Sequence, residues 1–116
     1  MTLHATIDDI WKQIVDFNDL HFPGWDKEDL RIVSNALAGE VGEVCDDTKH
    51  FYGGGTNQEL VGKITPEKIA EEVFDSFVYM ILLLGAAGFG RARFVAIAEK
   101  KLNVLYSRME NQTGRV

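Results

Sequence analysis

The sequence predicts an all-α fold in a single domain. Three observations carry this. Apolar residues recur at three- and four-residue spacing in four separate stretches, the pattern of amphipathic helices. Helix-start signals stand at the heads of the first three stretches, and a glycine break precedes the fourth. No stretch of useful length alternates apolar and polar residues as a half-buried strand would. With 116 residues, the chain has the length of one domain. The expected architecture is a four-helix, bundle-like arrangement.

The first helix is expected from Thr6 to about Leu20, on the spacing of Ile7, Ile10, Trp11, Ile14 and Val15. Thr6 is its N-cap, and Asp8 and Asp9 suit the positive end of the helix dipole. His21-Phe22-Pro23-Gly24-Trp25 breaks the pattern. Asp26 is the expected cap of the second helix, with Glu28 and Asp29 in its first turn. Leu30, Val33, Leu37, Val41 and Val44 mark its stripe, which runs to about Phe51.

Three consecutive glycines, Gly53 to Gly55, do not sustain a helix, so a connection is expected from Tyr52 to Thr65. It has the character of a flexible segment or a lid. Thr65-Pro66-Glu67 then joins a cap, a proline at the first helical position and an acid, a strong helix start. The third helix is expected to reach about Ala87. Gly88-Phe89-Gly90 separates it from the fourth, about Arg91 to Glu110, whose stripe contains Ile97, Leu102, Leu105 and Met109. The tail from Asn111 is expected to fray. The third helix is apolar almost all round in its second half, which predicts burial on two sides. In so small a chain the second surface is expected from another subunit, in a homodimer or tetramer.

Composition removes several functions. Twelve basic against eighteen acidic residues give a formal charge of −6. Such a chain is a poor binder of nucleic acid, which needs a basic surface. One cysteine, Cys45, cannot form an internal disulfide or furnish a cysteine-rich zinc site. Its default reading is a buried, inert thiol. Phe77 to Leu84 is the longest apolar run, well short of the ~20 residues of a membrane span. Met1 to Asp9 has no positively charged segment and does not read as a signal peptide. A cytoplasmic location is the expectation.

The chemistry is concentrated in four carboxylates. Glu40 and Glu43 are three apart on the second helix; Glu72 and Asp75 repeat the spacing on the third. Each pair shares a helix face and lies among apolar residues. Like charges so placed weaken a helix, and near a core they need a counter-charge. A divalent cation is the economical one, and all-oxygen ligation favours Mg²⁺, Mn²⁺ or Ca²⁺. Glu71, four residues before Asp75, is a further candidate ligand or base. Gly39 and Gly42 precede the two acids of the second helix. They suggest close helix approach or room for metal and phosphate.

Glu40-x-x-Glu43, 28 intervening residues, then Glu72-x-x-Asp75, resembles the motif of the MazG-like all-α nucleotide pyrophosphohydrolases. Ala36-Leu-Ala-Gly-Glu40-Val-Gly-Glu43 looks like that family's second helix. Ala70-Glu-Glu72-Val-Phe-Asp75-Ser-Phe-Val-Tyr79 looks like its third. Lys101-Leu102 and Arg108 fall where the family often has a Lys-Leu and a later basic residue. The resemblance spans about Trp25 to Arg108. It implies cleavage of a nucleoside triphosphate between the α and β phosphates, in nucleotide-pool house-cleaning. Glu40, Glu43, Glu72 and Asp75 would be the Mg²⁺ ligands and the catalytic acids. One of them, or Glu71, would orient or deprotonate the attacking water. Related enzymes acting on dUTP or phosphoribosyl-ATP share the acid cluster. A non-catalytic helical module binding a metal or nucleotide is the alternative of a different class.

Other residues have supporting places in this reading. Lys101 and Arg108 are seven apart, on one face of the fourth helix, and suit a triphosphate. Leu105 stands where some relatives carry Asn. Tyr79, four residues after Asp75, is placed to stack on a base or bond a sugar, or else to fill the core. Trp25 occupies a position where some members set an aromatic against the base, and Asn18 is a further candidate contact. His50, at the end of the second helix, reads as a partner of that helix terminus rather than a catalyst.

Overall fold

The computed structural model describes residues 6–52 and 63–112, and these are all-helical. Helix α1 is Ile7–His21, α2 is Leu30–Phe51, α3 is Pro66–Ala86 and α4 is Arg91–Gln112. A single 3-10 turn, Trp25–Lys27, lies between α1 and α2. The expected glycine-rich lid, Gly53 to Gly55, and most of the fraying tail lie outside the described residues.

Helix α1 begins with a reciprocal cap. The Asp9 backbone N–H donates to Thr6 Oγ1 at 3.1 Å, and the Thr6 N–H donates to the Asp9 carboxylate at 3.0 Å. Two of the first-turn donors that a helix leaves unpaired are thereby satisfied. The helix ends before Pro23, and Gly24 turns the chain with φ of 89°, a conformation that favours glycine. Asp26 does not cap α2 as expected. It sits inside the 3-10 turn, and the cap is Asp29, whose Oδ1 accepts from the Arg31 N–H at 2.9 Å. The extra turn delays the helix by three residues because it seats Trp25 first. Thr65 and Pro66 open α3 as the sequence predicts, with Thr65 Oγ1 accepting from the Lys68 N–H.

Helices α2 and α3 form the most extensive pairing. They run antiparallel: Leu30 and Ser34 share a depression with Leu83, Ala36 shares one with Tyr79, and Glu40 and Glu43 meet Glu72. Helix α1 packs against α3 through Trp11, Ile14 and Ile81. The Trp11 ring lies edge-on to Phe77 at 6.4 Å and meets Phe94 of α4 at 5.5 Å. Among the described residues only Trp11, Ile14, Val33 and Ile81 are buried apolar side chains. Of the predicted α2 stripe, Val33 alone is buried; Leu30 and Val41 remain exposed.

The chain turns through 104° between α3 and α4. Helix α4 therefore does not fold back along α3. Its first turns touch α1, where Arg91 pairs with Asp8 at 3.2 Å, and residues 99–111 are exposed throughout. The radius of gyration is 18.1 Å, against about 13 Å for a compact domain of this length. No single helix among the described residues is long and apolar enough to cross a membrane.

Candidate metal centre and adjoining cavity

The antiparallel α2–α3 pair brings three of the four predicted acids together. Carboxylate oxygens of Glu40, Glu43 and Glu72 all lie within 4.8 Å of one another. Glu72 is buried, Glu40 half-buried and Glu43 exposed at the rim. Asp75 stands outside this group and is exposed. The same three-residue step keeps Glu40 and Glu43 together on α2, so the register of α3 against α2, and not the spacing, leaves Asp75 off the shared face.

Electrostatic strain marks the cluster. Glu43 is held above the usual carboxylate range, first by hydrogen bonding with Glu72, then by the charge of Glu40 and Glu72, by burial and by Asp47. One cation relieves it: Lys68 Nζ reaches Glu72 Oε1 at 3.1 Å. That contact, with the charges of Glu72, Glu71 and Asp47, raises the Lys68 ammonium above its ordinary value. Lys68 and Asp47 were missed by motif reasoning. The signal was available, because Lys68 is four residues before Glu72 and Asp47 four after Glu43, the spacing of facing side chains on a helix. One oxygen of Asp47 is buried without a hydrogen-bond partner.

These residues fit a hard cation. Three oxygens at mutual separations this short leave negative charge that one lysine does not neutralise, and oxygen is the donor such ions prefer. The glycines agree with the need for space. A Cβ on Gly39 or Gly42 would meet nothing within 4 Å, so neither serves close helix approach, and the volume beside them is open.

Asn18, Trp25 and Tyr79 come together as well. All three line a cavity of about 490 Å³ between α1, α2 and α3, with Ile32, Val33 and Leu82 as apolar walls. Asn18 is buried and donates one amide N–H to the Ile14 carbonyl at 2.8 Å. Its amide oxygen and second N–H remain available. The Trp25 ring is fixed from two sides: its Nε1–H donates to Asp19 at 2.8 Å, and its far edge lies against the backbone of Gly85. A larger depression of about 600 Å³ lies on the other side of Trp25, among Asp8, Lys12, Asp19 and Arg91, and contains none of the clustered acids. The smaller cavity is the one that shares α2 and α3 with the acids. Ala36 in its wall is one turn from Glu40, and Tyr79 is two turns from Glu72. The cavity wall and the acids are thus about 6–10 Å apart along the helix pair, from the 1.5 Å helical rise.

Lys101 and Arg108 are not part of this arrangement within one chain. Both are exposed on the projecting half of α4 and form no ion pair or hydrogen bond among the described residues. His50 behaves as its position suggests: it is buried at the end of α2, with Nδ1 at 2.8 Å from the Asp46 carbonyl. Cys45 corrects the expectation of a buried thiol. It is exposed, because the face of α2 turned toward α3 is occupied by the acids and not by position 45. No family model, curated protein or solved structure matches the chain.

Proposed function

We propose that the protein is a Mg²⁺-dependent nucleoside triphosphate pyrophosphohydrolase of MazG-like type, acting on deoxynucleoside or modified nucleoside triphosphates. The observation that carries this is the proximity of two complementary features on one helix pair. Glu40, Glu43 and Glu72 form a cation-ready cluster, and the cavity of Asn18, Trp25 and Tyr79 opens about 6–10 Å away along the same helices. A nucleotide has the same two-part chemistry, a planar apolar base with polar edges and an anionic phosphate chain. The motif resemblance supports the same reading.

The cavity supplies what a base requires. Tyr79 and Trp25 offer aromatic surface, and the free amide groups of Asn18 offer one donor and one acceptor to a base edge. The acids supply the rest. Bound Mg²⁺ would offset the charge of the triphosphate and make a coordinated water more acidic. Glu40, Glu43 and Glu72 would hold the ion, with Asp75 joining from the rim. Glu71 or one of the clustered carboxylates would orient the attacking water and take its proton. Water adds to the α phosphorus as the α–β bridging P–O bond breaks, and the bridging oxygen leaves with pyrophosphate. Lys68 is placed to release Glu72 to the ion and turn to a phosphate oxygen. The bundle of this family would then be completed by a second subunit, since α4 does not close it within one chain.

Product analysis tests the proposal. The protein is incubated with Mg²⁺ or Mn²⁺ and a panel of canonical and modified triphosphates, including dUTP, together with phosphoribosyl-ATP. Monophosphate and pyrophosphate are the expected products. Diphosphate and phosphate would indicate cleavage at the other anhydride. No turnover of any substrate, with nucleotide still binding, would leave a non-catalytic binding module.

A further inference from the structure

The base cavity continues on its α1–α3 side. Asn18, Phe22, Tyr79 and Leu82 line it, and the same four residues line a second cavity of about 530 Å³ between α1 and α3. The two spaces therefore meet along the line from Asn18 of α1 to Tyr79 of α3. The first, at about 490 Å³, is by itself within the ~300–1,000 Å³ of a small-molecule site. A plain nucleoside leaves the second without use.

The second space is an apolar groove. Ile10 and Phe17 of α1 face Phe74 and Val78 of α3 across it, and Phe22 stands at its junction with the base cavity. Phe17, Phe22 and Phe74 are 56%, 59% and 47% exposed, and the rings of Phe17 and Phe22 are 6.3 Å apart. Single exposed apolar side chains are ordinary; three phenyl rings along one concavity are a contiguous patch. Such rings receive a further aromatic ring edge-on or offset. Trp25 lines only the base cavity, and Phe17 and Phe74 line only the groove. A ligand that uses both spaces has a flat polar-edged part and an apolar arm.

Asn18 stands between the two and selects the edge of the flat part. It is buried, and one amide N–H is bound to the Ile14 carbonyl. What remains is one acceptor, Oδ1, and one donor, the second N–H. Adenine carries their complement on one edge, an N6–H donor beside the N7 acceptor, and an asparagine amide meets that pair with two hydrogen bonds. This uses one of the two N6 hydrogens. When the other is replaced by carbon, the substituent turns to the N1 side and the remaining N–H stays beside N7. The pairing with Asn18 is kept.

We propose that the preferred ligand is an adenine nucleotide bearing one apolar substituent on N6. The base lies against Trp25, its N6–H and N7 pair with Asn18, and the substituent passes the Asn18–Tyr79 line into the α1–α3 groove. A benzyl group matches the three phenyl rings there. Hydrolysis of such a nucleotide rests on the pyrophosphohydrolase reading; its binding in the two cavities does not.

Binding is measured apart from hydrolysis, with nucleosides in EDTA, so that neither metal nor phosphate takes part. The protein is titrated with 2′-deoxyadenosine, its N6-benzyl derivative and its N6-benzyl-N6-methyl derivative, followed by tryptophan fluorescence. The N6-benzyl compound is expected to bind at least ~10-fold more tightly than 2′-deoxyadenosine, the low end of what a hydrophobic pocket gives for an added apolar group. The doubly substituted compound has no N6–H and is expected to lose most of that gain, because the Asn18 oxygen is left without a donor. Phe17→Ala and Phe74→Ala, each at an exposed position, are expected to remove the gain, with unsubstituted 2′-deoxyadenosine as the control for an intact base cavity. An N6-benzyl compound that does not bind, or binds no more tightly than 2′-deoxyadenosine, as in a groove filled by another polypeptide, would overturn the inference whatever the protein hydrolyses. A gain that survives both phenylalanine variants, or that the doubly substituted compound keeps in full, would also overturn it. Initial rates with Mg²⁺ then compare dATP with N6-benzyl-dATP, and kcat/KM is expected to favour the benzyl substrate by a similar factor, mainly through KM. Cleavage of dATP without a benzyl gain in binding would leave the pyrophosphohydrolase reading standing alone. A benzyl gain in binding without cleavage of either triphosphate would overturn that reading and leave the ligand class intact.

Discussion

Replacing Gly85 by alanine tests how Trp25 is held. A Cβ on Gly85 would stand 2.5 Å and 2.6 Å from two carbons of the Trp25 ring. Carbon atoms in contact keep about 3.5–4.0 Å, so the ring must withdraw by about 1 Å. It cannot do so freely. Its Nε1–H is bound to Asp19 at 2.8 Å, and its backbone is held in the 3-10 turn, with the Trp25 N–H donating to Phe22 at 3.1 Å. Overpacking of this kind costs about 1–3 kcal/mol. Alanine in place of glycine within a helix returns about 0.5–1 kcal/mol. The net expectation is a loss of about 0–2.5 kcal/mol, centred near 1 kcal/mol, and a centre of that size lowers Tm by about 4–6 °C in a domain of this length. Gly42→Ala is the control: nothing lies within 4 Å of its Cβ, so the same substitution should stabilise by about 0.5–1 kcal/mol. Thermal and urea unfolding followed by circular dichroism measure both. A Trp25→Leu background should abolish the cost at Gly85, because the clash is with the ring. A Gly85→Ala protein more stable than wild type would refute the seating of Trp25 on α3, and with it one wall of the proposed base cavity.

Glu43→Gln should lower metal-dependent hydrolysis by more than ~100-fold, beyond the loss typical of an outer-shell partner. Initial rates across a Mg²⁺ titration check this, and full activity would remove the acids from the mechanism. The same variant should melt higher than wild type in metal-free buffer at pH 7. A carboxyl raised in the folded state contributes stability below its unfolded pKa and loses it as pH rises through the folded value, so ionised Glu43 is a cost at neutral pH. The difference should vanish toward pH 4, and melting curves at both pH values with EDTA read it. Mg²⁺ should raise the wild-type Tm more at pH 8 than at pH 5, since protons and the ion compete for the same oxygens. Thr65→Ala should cost about 1 kcal/mol through loss of the α3 cap. Asn18→Ala and Tyr79→Phe should raise KM more than they lower kcat if the cavity holds the base, and steady-state kinetics separate the two.

Much of the fold was legible because it is written in local rules. The Thr6 and Thr65 caps, the Pro66 start, the Pro23-Gly24 break and the ends of all four helices follow from residues within one or two turns of each other. The Asp26 cap failed where local rules ran out. Asp26 and Asp29 are equally good caps, and the choice fell to Asp29 because Trp25 seats on Gly85, 60 positions along the chain. The acid pairs were legible for the same local reason, since three-residue spacing places two side chains on one face. That Glu43 meets Glu72, while Asp75 turns outward, depends on the register of α2 against α3, and no spacing within one helix states it.

The sequence by itself determined the helical class, the order of the helices, their limits to within about two residues except at the start of α2, and the identity of the acids, because hydrophobic period, capping and proline chemistry act over a few residues. The tertiary structure decided three things. It set which three acids share a site, it gathered Asn18, Trp25 and Tyr79 around one cavity, and it sent α4 away from α3 at 104°. Each depends on how helix surfaces fit across long sequence separations. The same fit accounts for a feature of the composition. A chain with 46% hydrophobic residues buries only four large apolar side chains among its described residues, because apolar faces on every helix, such as Phe17 of α1, Ile32 of α2, Phe74 of α3 and Leu105 of α4, are left uncovered.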